Sequence, residues 1–146
     1  MKTNAFFFLF MLFRLHSFSQ IIIPSANNNA PKFQFETEVI DYGTVAYQSS
    51  GDRIFKFTNT GKEPLIISNV QSSCGCLVPS WPKEPVKPGA SSWIKAHYDT
   101  GRIGRFEKTL TVTSNADRPS LVLRIKGEVL RPTAKDSLLM FPAEKH

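Results

Sequence analysis

Asn59-Thr60-Gly61-Lys62-Glu63-Pro64-Leu65-Ile66-Ile67, then Ser73-Cys74-Gly75-Cys76, then Pro88-Gly89, is the stretch that decides the fold. Thr60-Gly61 and Pro88-Gly89 are turn signals, because glycine supplies the positive φ that tight turns need. Between them a β-branched run predicts a strand from Leu65 to Val70. Beyond it the only two cysteines of the 146-residue chain sit one glycine apart.

Outward from this segment the dominant period is two. Phe33 and Phe35 alternate with Gln34 and Glu36. Arg53 to Asn59 puts Phe55 and Phe57 on one face, Lys56 and Thr58 on the other. Trp93 to Asp99 alternates Ile94, Ala96 and Tyr98 with Lys95, His97 and Asp99. Phe106, Leu110 and Val112 alternate with Glu107, Thr109, Thr111 and Thr113, and Leu121, Leu123 and Ile125 with Val122, Arg124 and Lys126. Residues two apart share a face of a strand, so each run buries one side and wets the other. Gly101 and Gly104 predict a hairpin between the Trp93 and Phe106 strands. No helical period is present. The reading is an all-β, two-sheet antiparallel sandwich of about seven strands. Phe55, Phe57, Phe106 and Tyr98 belong to its core. Trp93 shares the outward face of Lys95 and His97. Trp81, in the proline-rich loop from Pro79 to Pro88, reads as a plug.

Six local patterns occur together: Asp41-Tyr42-Gly43-Thr44-Val45, Asn59-Thr60-Gly61, Pro64-Leu65-Ile66-Ile67, Cys74-Gly75-Cys76, Pro88-Gly89 and Ser114-Asn115. In this order they resemble the DUF1573 family, bacterial exported immunoglobulin-like domains related in fold to the hydin-type domains of cilia and centrosomes. The resemblance covers roughly residues 33 to 131. It implies an immunoglobulin-like sandwich and an envelope address, but no reaction. The family usually continues Cys-Gly-Cys with Thr, where this chain has Leu77.

Residues 1–19 read as a signal peptide. Lys2 is the positive start, and Ala5 to Phe13 is an apolar run shorter than the ~20 residues a bilayer span needs. Ser17 and Ser19 place small residues before a cleavage site at Gln20. The expected product is exported, periplasmic or extracellular, with no stable membrane span. Residues 20–32, polar with two prolines, read as a linker, 33–131 as the domain and 132–146 as a tail. Within the tail, Asp136-Ser137-Leu138 resembles the Asp-Ser/Thr-aliphatic sequon of envelope O-glycosylation in Bacteroidetes-type bacteria, which marks Ser137 as a candidate acceptor.

The formal charge is +6, and removal of Lys2 and Arg14 with the signal leaves +4. Arg102, Arg105, Arg118, Arg124, Lys126 and Arg131 are spread over strands and loops, a pattern of solvated faces rather than a nucleic-acid footprint. No Gly-x-Ser-x-Gly, phosphate-cradling loop or His-Glu-x-x-His is present, so a hydrolase or nucleotide enzyme is not indicated. Glu36, Glu38 and Asp41 have a spacing that calcium can use, but they fit a wet strand face better.

Cys74 and Cys76 carry the remaining chemistry. In an extended strand their Cα atoms would be about 6.6 Å apart, at the far edge of disulfide geometry. A bend at Gly75 brings the sulfurs together. Three readings stay open: a structural disulfide or buried thiol pair, an exchangeable disulfide, and a thiolate pair for copper(I) or zinc. His97 and His146 are the histidines outside the signal, which supplies a zinc site poorly. No cofactor is expected. The composite expectation is a non-catalytic envelope module that binds a protein or glycan through a sheet edge or end loops, with a thiol-redox or copper-binding protein as the alternative.

Overall fold

The structure, a computed structural model, describes residues 27–133. The expected signal peptide, residues 20–26 of the expected linker, and residues 134–146 with Ser137, Met140 and His146 lie outside the described residues. Among the described residues no helix is long and apolar enough to cross a membrane.

Among the described residues eight strands run β1 (Phe33–Phe35), β2 (Val39–Ala46), β3 (Asp52–Asn59), β4 (Ile67–Ser72), β5 (Leu77–Ser80), β6 (Ser91–Tyr98), β7 (Gly104–Ser114) and β8 (Ser120–Leu130). They form two four-stranded sheets, β1-β3-β6-β5 and β2-β8-β7-β4. All pairs are antiparallel except β2 with β8, which run parallel. The sandwich is closed by the inward side chains of both sheets. Phe55, Phe57 and Ile94 from the first sheet meet Leu110, Leu123 and Ile125 from the second, all buried. Tyr98 stacks on Phe106 with centroids 3.9 Å apart, and Tyr42 meets Phe106 edge-on at 5.2 Å. Aromatic pairs of this kind add to the burial of their area.

Where alternation was clear, the strands follow it: Phe55, Phe57, Ile94, Ala96 and Tyr98 point in, and Lys56, Lys95 and His97 point out. Two strands carried no such signal. In β2 only Tyr42 is buried, because a register shift between Asp41 and Thr44 interrupts the period. Gly43 sits there at φ +61°, its N–H donating to Asp41 Oδ1 at 2.8 Å. β5 is four residues long and contains Pro79, which an edge strand tolerates.

Three expectations are corrected. The strand placed at Leu65–Val70 is shifted to Ile67–Ser72. Leu65 instead exchanges two backbone hydrogen bonds with Val86. A bulge between Ile67 and Asn69 then leaves Ser68 and Asn69 both outside. The hairpin expected at Gly101–Gly104 is a crossing between sheets, since β6 pairs with β3 and β5 while β7 pairs with β4 and β8. The buried Thr100 causes the crossing: its hydroxyl donates to Ser49 O at 2.5 Å and its carbonyl accepts from Gln48 N, which draws the chain off the first sheet. Gly61 does not adopt positive φ, although Gly89 does, at +75°. A Cβ on Gly61 would stand 2.5 Å from Pro31 Cα, so this glycine is required by close approach of the chain.

That approach comes from residues 27–32, the second half of the expected linker. They lie along the sandwich: Lys62 N donates to Asn29 O, Thr60 N to Lys32 O, and Asp117 N to Pro31 O.

Candidate functional site

At the end of the sandwich where β3 and β7 finish, the motif residues act on the backbone. The fully buried Asn59 accepts from Lys32 N (3.2 Å) and Gly61 N (3.0 Å) and donates to Glu63 O (2.8 Å) and Val86 O (3.0 Å). A primary amide has two acceptor sites and two donor hydrogens, so this one is saturated. Asn115 does similar work nearby. It accepts from Ile66 N at 2.8 Å and donates to Pro64 O at 3.0 Å. With Gly89 N donating to Asn59 O at 2.7 Å, the Asn-Thr-Gly, Pro-Leu-x-Ile, Pro-Gly and Ser-Asn patterns are thus one hydrogen-bonded joint, in which the Asn59 side chain is buried and fully used.

The cysteines lie on the crossing from β4 to β5. Cys74 and Cys76 are joined in a disulfide with Cα atoms 5.2 Å apart. The backbone around them is held independently. Ser72 Oγ donates to Cys74 O at 2.8 Å, Asp99 N to Cys76 O at 2.9 Å, and Ser73 exchanges bonds with Thr109 through both its N–H and its hydroxyl oxygen. Cys76 is buried, 7 % exposed, and the following Leu77 is also buried opposite Tyr98, an apolar position that suits Leu in place of Thr. Cys74 is half-buried. A disulfide sulfur is not a thiolate, so copper or zinc binding would require the reduced pair. Among the described residues no three His, Cys, Asp or Glu converge to help them.

The outer face of the first sheet is partly apolar. Ile54 and Trp93, diagonal neighbours on β3 and β6, are 51 % and 41 % exposed, and Val78 on β5 is 58 % exposed. Ile54 and Trp93 line an open groove of about 440 Å³ with Lys56, Lys95, Ser91 and Ser92. Beside it Asp52 accepts or shares a proton with His97 Nδ1 at 2.6 Å and meets Lys95 Nζ at 3.7 Å. The His97 hydrogen bond first, and Lys95 second, hold the Asp52 carboxyl below its ordinary range. His97 faces outward as the alternation predicts, but its pairing with Asp52 is not legible in the sequence because the two residues are 45 apart.

The second sheet's strands expose Val39, Val122 and Leu130 and also carry ion pairs. Arg124 pairs with Glu107, Lys126 with Asp41 at 3.4 Å and Arg105 with Glu128 at 3.6 Å. Glu38 pairs with Arg118 at 2.9 Å. Glu38 and Asp41 therefore hold separate cations rather than a common site with Glu36. Trp81 is half-buried as a plug: its Nε1 donates to Ile67 O at 3.3 Å and Lys83 Nζ sits 3.3 Å over its ring. The groove was missed because alternation identifies which residues face out, not which outward residues meet across strands.

The fold has known counterparts. A protein of unknown function from Porphyromonas gingivalis W83 is similar with TM-score 0.62 and 16 % identity over 73 % of this chain and 51 % of that one, so this chain spans about half its length. The ASH/PapD-like domain 7 of human CEP192 gives 0.61 and 11 %, covering 80 % of this chain and 98 % of that domain. The CupB2 chaperone of Pseudomonas aeruginosa gives 0.50 and 10 %, covering 73 % and 61 %. These likenesses establish the immunoglobulin-like, PapD-like fold alone. No curated protein sequence matches the chain. Residues 33–129 match the family described as "Protein of unknown function (DUF1573)", and the chain belongs to that family.

Proposed function

We propose that the domain is a non-catalytic interaction module of the bacterial envelope, exported after cleavage near Gln20, whose contact surface is the outer face of the first sheet. One observation carries this reading. The face gathers Ile54 and Trp93 side by side in one groove with Val78 exposed on the next strand, whereas the exposed Val39, Val122 and Leu130 of the second sheet stand on strands that also carry its ion pairs. Tryptophan is strongly enriched among residues that anchor protein interfaces, and an apolar centre rimmed by lysines and hydroxyls has the anatomy of such a contact. The partner favoured is another envelope protein, in keeping with chaperone and PapD-like counterparts of this fold.

The test is site-specific photo-crosslinking in the native host. A crosslinker at position 54 is expected to yield a discrete protein adduct that Trp93→Ala abolishes. A crosslinker at Thr111, on the second sheet, is expected to yield none. Equal labelling from both positions, or a glycan adduct from position 54, overturns the assignment of a protein partner. Sequencing of the mature N-terminus from envelope fractions tests the address: intact Met1 protein in the cytosol would refute export.

A further inference from the structure

We propose that the Cys74–Cys76 bond is a thiol–disulfide exchange site, in which an incoming thiolate attacks Cys74 Sγ and displaces Cys76. Four observations converge on it. First, the disulfide is not what shapes the crossing between β4 and β5. Ser72, Ser73, Thr109 and Asp99 already hold Ser73, Cys74 and Cys76 through hydrogen bonds to the backbone. Second, the bond closes a ring of only two residue steps, and cross-linking constrains the unfolded chain least when the loop is shortest. A covalent bond that is redundant for shape is available for chemistry.

Third, the two sulfurs are unequal. Cys76 belongs to the core, whereas Cys74 is at its rim. Exchange requires approach along the sulfur–sulfur axis, and of the two residues Cys74 is the more exposed. Fourth, Gly75, the residue between the cysteines, carries no side chain and is exposed. Its φ is not positive, and a Cβ built on it would meet nothing within 4 Å. Neither backbone conformation nor crowding demands glycine here. Apart from the two cysteines, no other part of the chain crowds the position.

The step balances as follows. A thiolate of a dithiol reductant bonds to Cys74 Sγ, the Cys74–Cys76 bond breaks, and its electron pair leaves on Cys76 Sγ, which takes a proton from water. The reductant's second thiolate then attacks its own sulfur in the mixed disulfide and releases Cys74 as a thiolate, which takes a proton from water in its turn. The reductant is oxidised to a disulfide by two electrons, and this protein ends with two thiols. Cys76, held against the core beside Cys74, returns quickly to expel a monothiol, so a dithiol is the productive reactant. The partner class is a dithiol protein or small dithiol of the same compartment.

The test uses the full, folded chain with dithiothreitol as the dithiol and reduced glutathione as the monothiol. Without denaturant, opening is expected to be first order in dithiothreitol; a rate independent of thiol would mean that the bond opens only through unfolding and would overturn the proposal. Acid-quenched wild-type protein exposed to glutathione is expected to carry the adduct on Cys74, and an adduct on Cys76 overturns the polarity. With 5,5′-dithiobis(2-nitrobenzoate), Cys76→Ser, which frees Cys74, is expected to react about tenfold or more faster than Cys74→Ser. Equal rates refute the asymmetry. Gly75→Leu is expected to slow dithiothreitol opening by about threefold or more, and an unchanged rate removes Gly75 from the argument for an open approach.

Discussion

At the end of the sandwich where β3 finishes, two asparagine side chains stand in for a backbone ladder, making six hydrogen bonds across Lys32, Gly61, Glu63, Pro64, Ile66 and Val86. Toward the other end, where β6 leaves the first sheet, the chain is tied by Thr100, by the Tyr42 hydroxyl on Gly51 O at 2.8 Å, and by backbone bonds around a disulfide. At the first end, every polar atom of the Asn59 side chain is consumed inside the protein. At the second, the bonds that fix the chain are made by backbone and neighbouring side chains, and Cys74 is left only partly buried. Motif residues of equal prominence in the sequence therefore differ in kind: those that complete a buried hydrogen-bond set are structural, and those left reachable are candidates for chemistry.

The largest expected break of this contrast is Asn59→Ala. It leaves Lys32 N, Gly61 N and Glu63 O, whose bonds to the amide are part-buried, without that partner and removes one of the two bonds to Val86 O, which keeps the one from Leu65 N. Each buried group left unpaired costs about 1–3 kcal/mol, so a loss of about 3 kcal/mol or more is expected in denaturant melts. That is a large share of the stability of a domain this size. A variant that melts like the parent would show that water replaces the amide and that the joint is not closed.

Second in size is the double replacement Cys74→Ser, Cys76→Ser. The chain-entropy account of so short a loop gives at most about 1.6 kcal/mol, below the usual cost of losing a native disulfide. Urea melts of the double variant against the oxidised parent check it. A loss as large as that of Asn59→Ala would place the disulfide with the structural joint and erase the distinction between the two ends.

This contrast explains what was legible beforehand. The all-β sandwich was readable because burial on one face forces period two, and Phe55, Phe57, Ile94 and Leu123 kept it without interruption. β2 was not readable because the Asp41–Thr44 bulge breaks the period, and β5 because four residues with a proline give no period at all. The predicted hairpin failed for a non-local reason. A turn sequence reports how tightly the chain bends, whereas sheet assignment was decided by Thr100 docking on Ser49, 51 residues earlier. The site followed the same rule. Cys74 and Cys76 were visible as a motif, but which sulfur is reachable, and the meeting of Ile54 with Trp93, depend on strand register.

Third comes Tyr42→Phe. The phenol is buried against Phe106, with the Arg53 guanidinium 4.1 Å over its ring, and burial pushes its pKa up to about 12 despite that cation. Removing the hydroxyl is expected to cost about 1 kcal/mol at neutral pH through the bond to Gly51 O. The pH dependence has a definite sign. The folded state holds the proton more tightly than the unfolded chain, whose pKa is 10.0, so the contribution is intact below pH 10 and lost as pH rises to about 12. Stability measured from pH 9 to 12 is expected to fall in the parent and to fall less in the variant. Parallel slopes would assign the alkaline loss to other groups.

The smallest effect tests whether the first sheet's outer face is organised or simply wet. Asp52 lies opposite His97 in the β3–β6 register, and the two make a 2.6 Å hydrogen bond beside the Ile54–Trp93 groove. That bond, assisted by Lys95, lowers the Asp52 carboxyl pKa from its ordinary 3.8. A depressed carboxylate stabilises the fold above its unfolded pKa, and the contribution disappears as pH falls through the folded value, so the window lies below about pH 4. Because both groups are exposed, the effect on stability is slight and salt-sensitive, and the carboxyl resonance is the better observable. An NMR titration is expected to place Asp52 below 3.8 in the parent and to return it toward that value in His97→Ala, with Lys95→Ala moving it less. If His97→Ala leaves the Asp52 midpoint where it was, the pair is an accident of two mobile side chains. The groove would then lack a fixed polar border, and its case for being a built contact surface would rest on Ile54 and Trp93 alone.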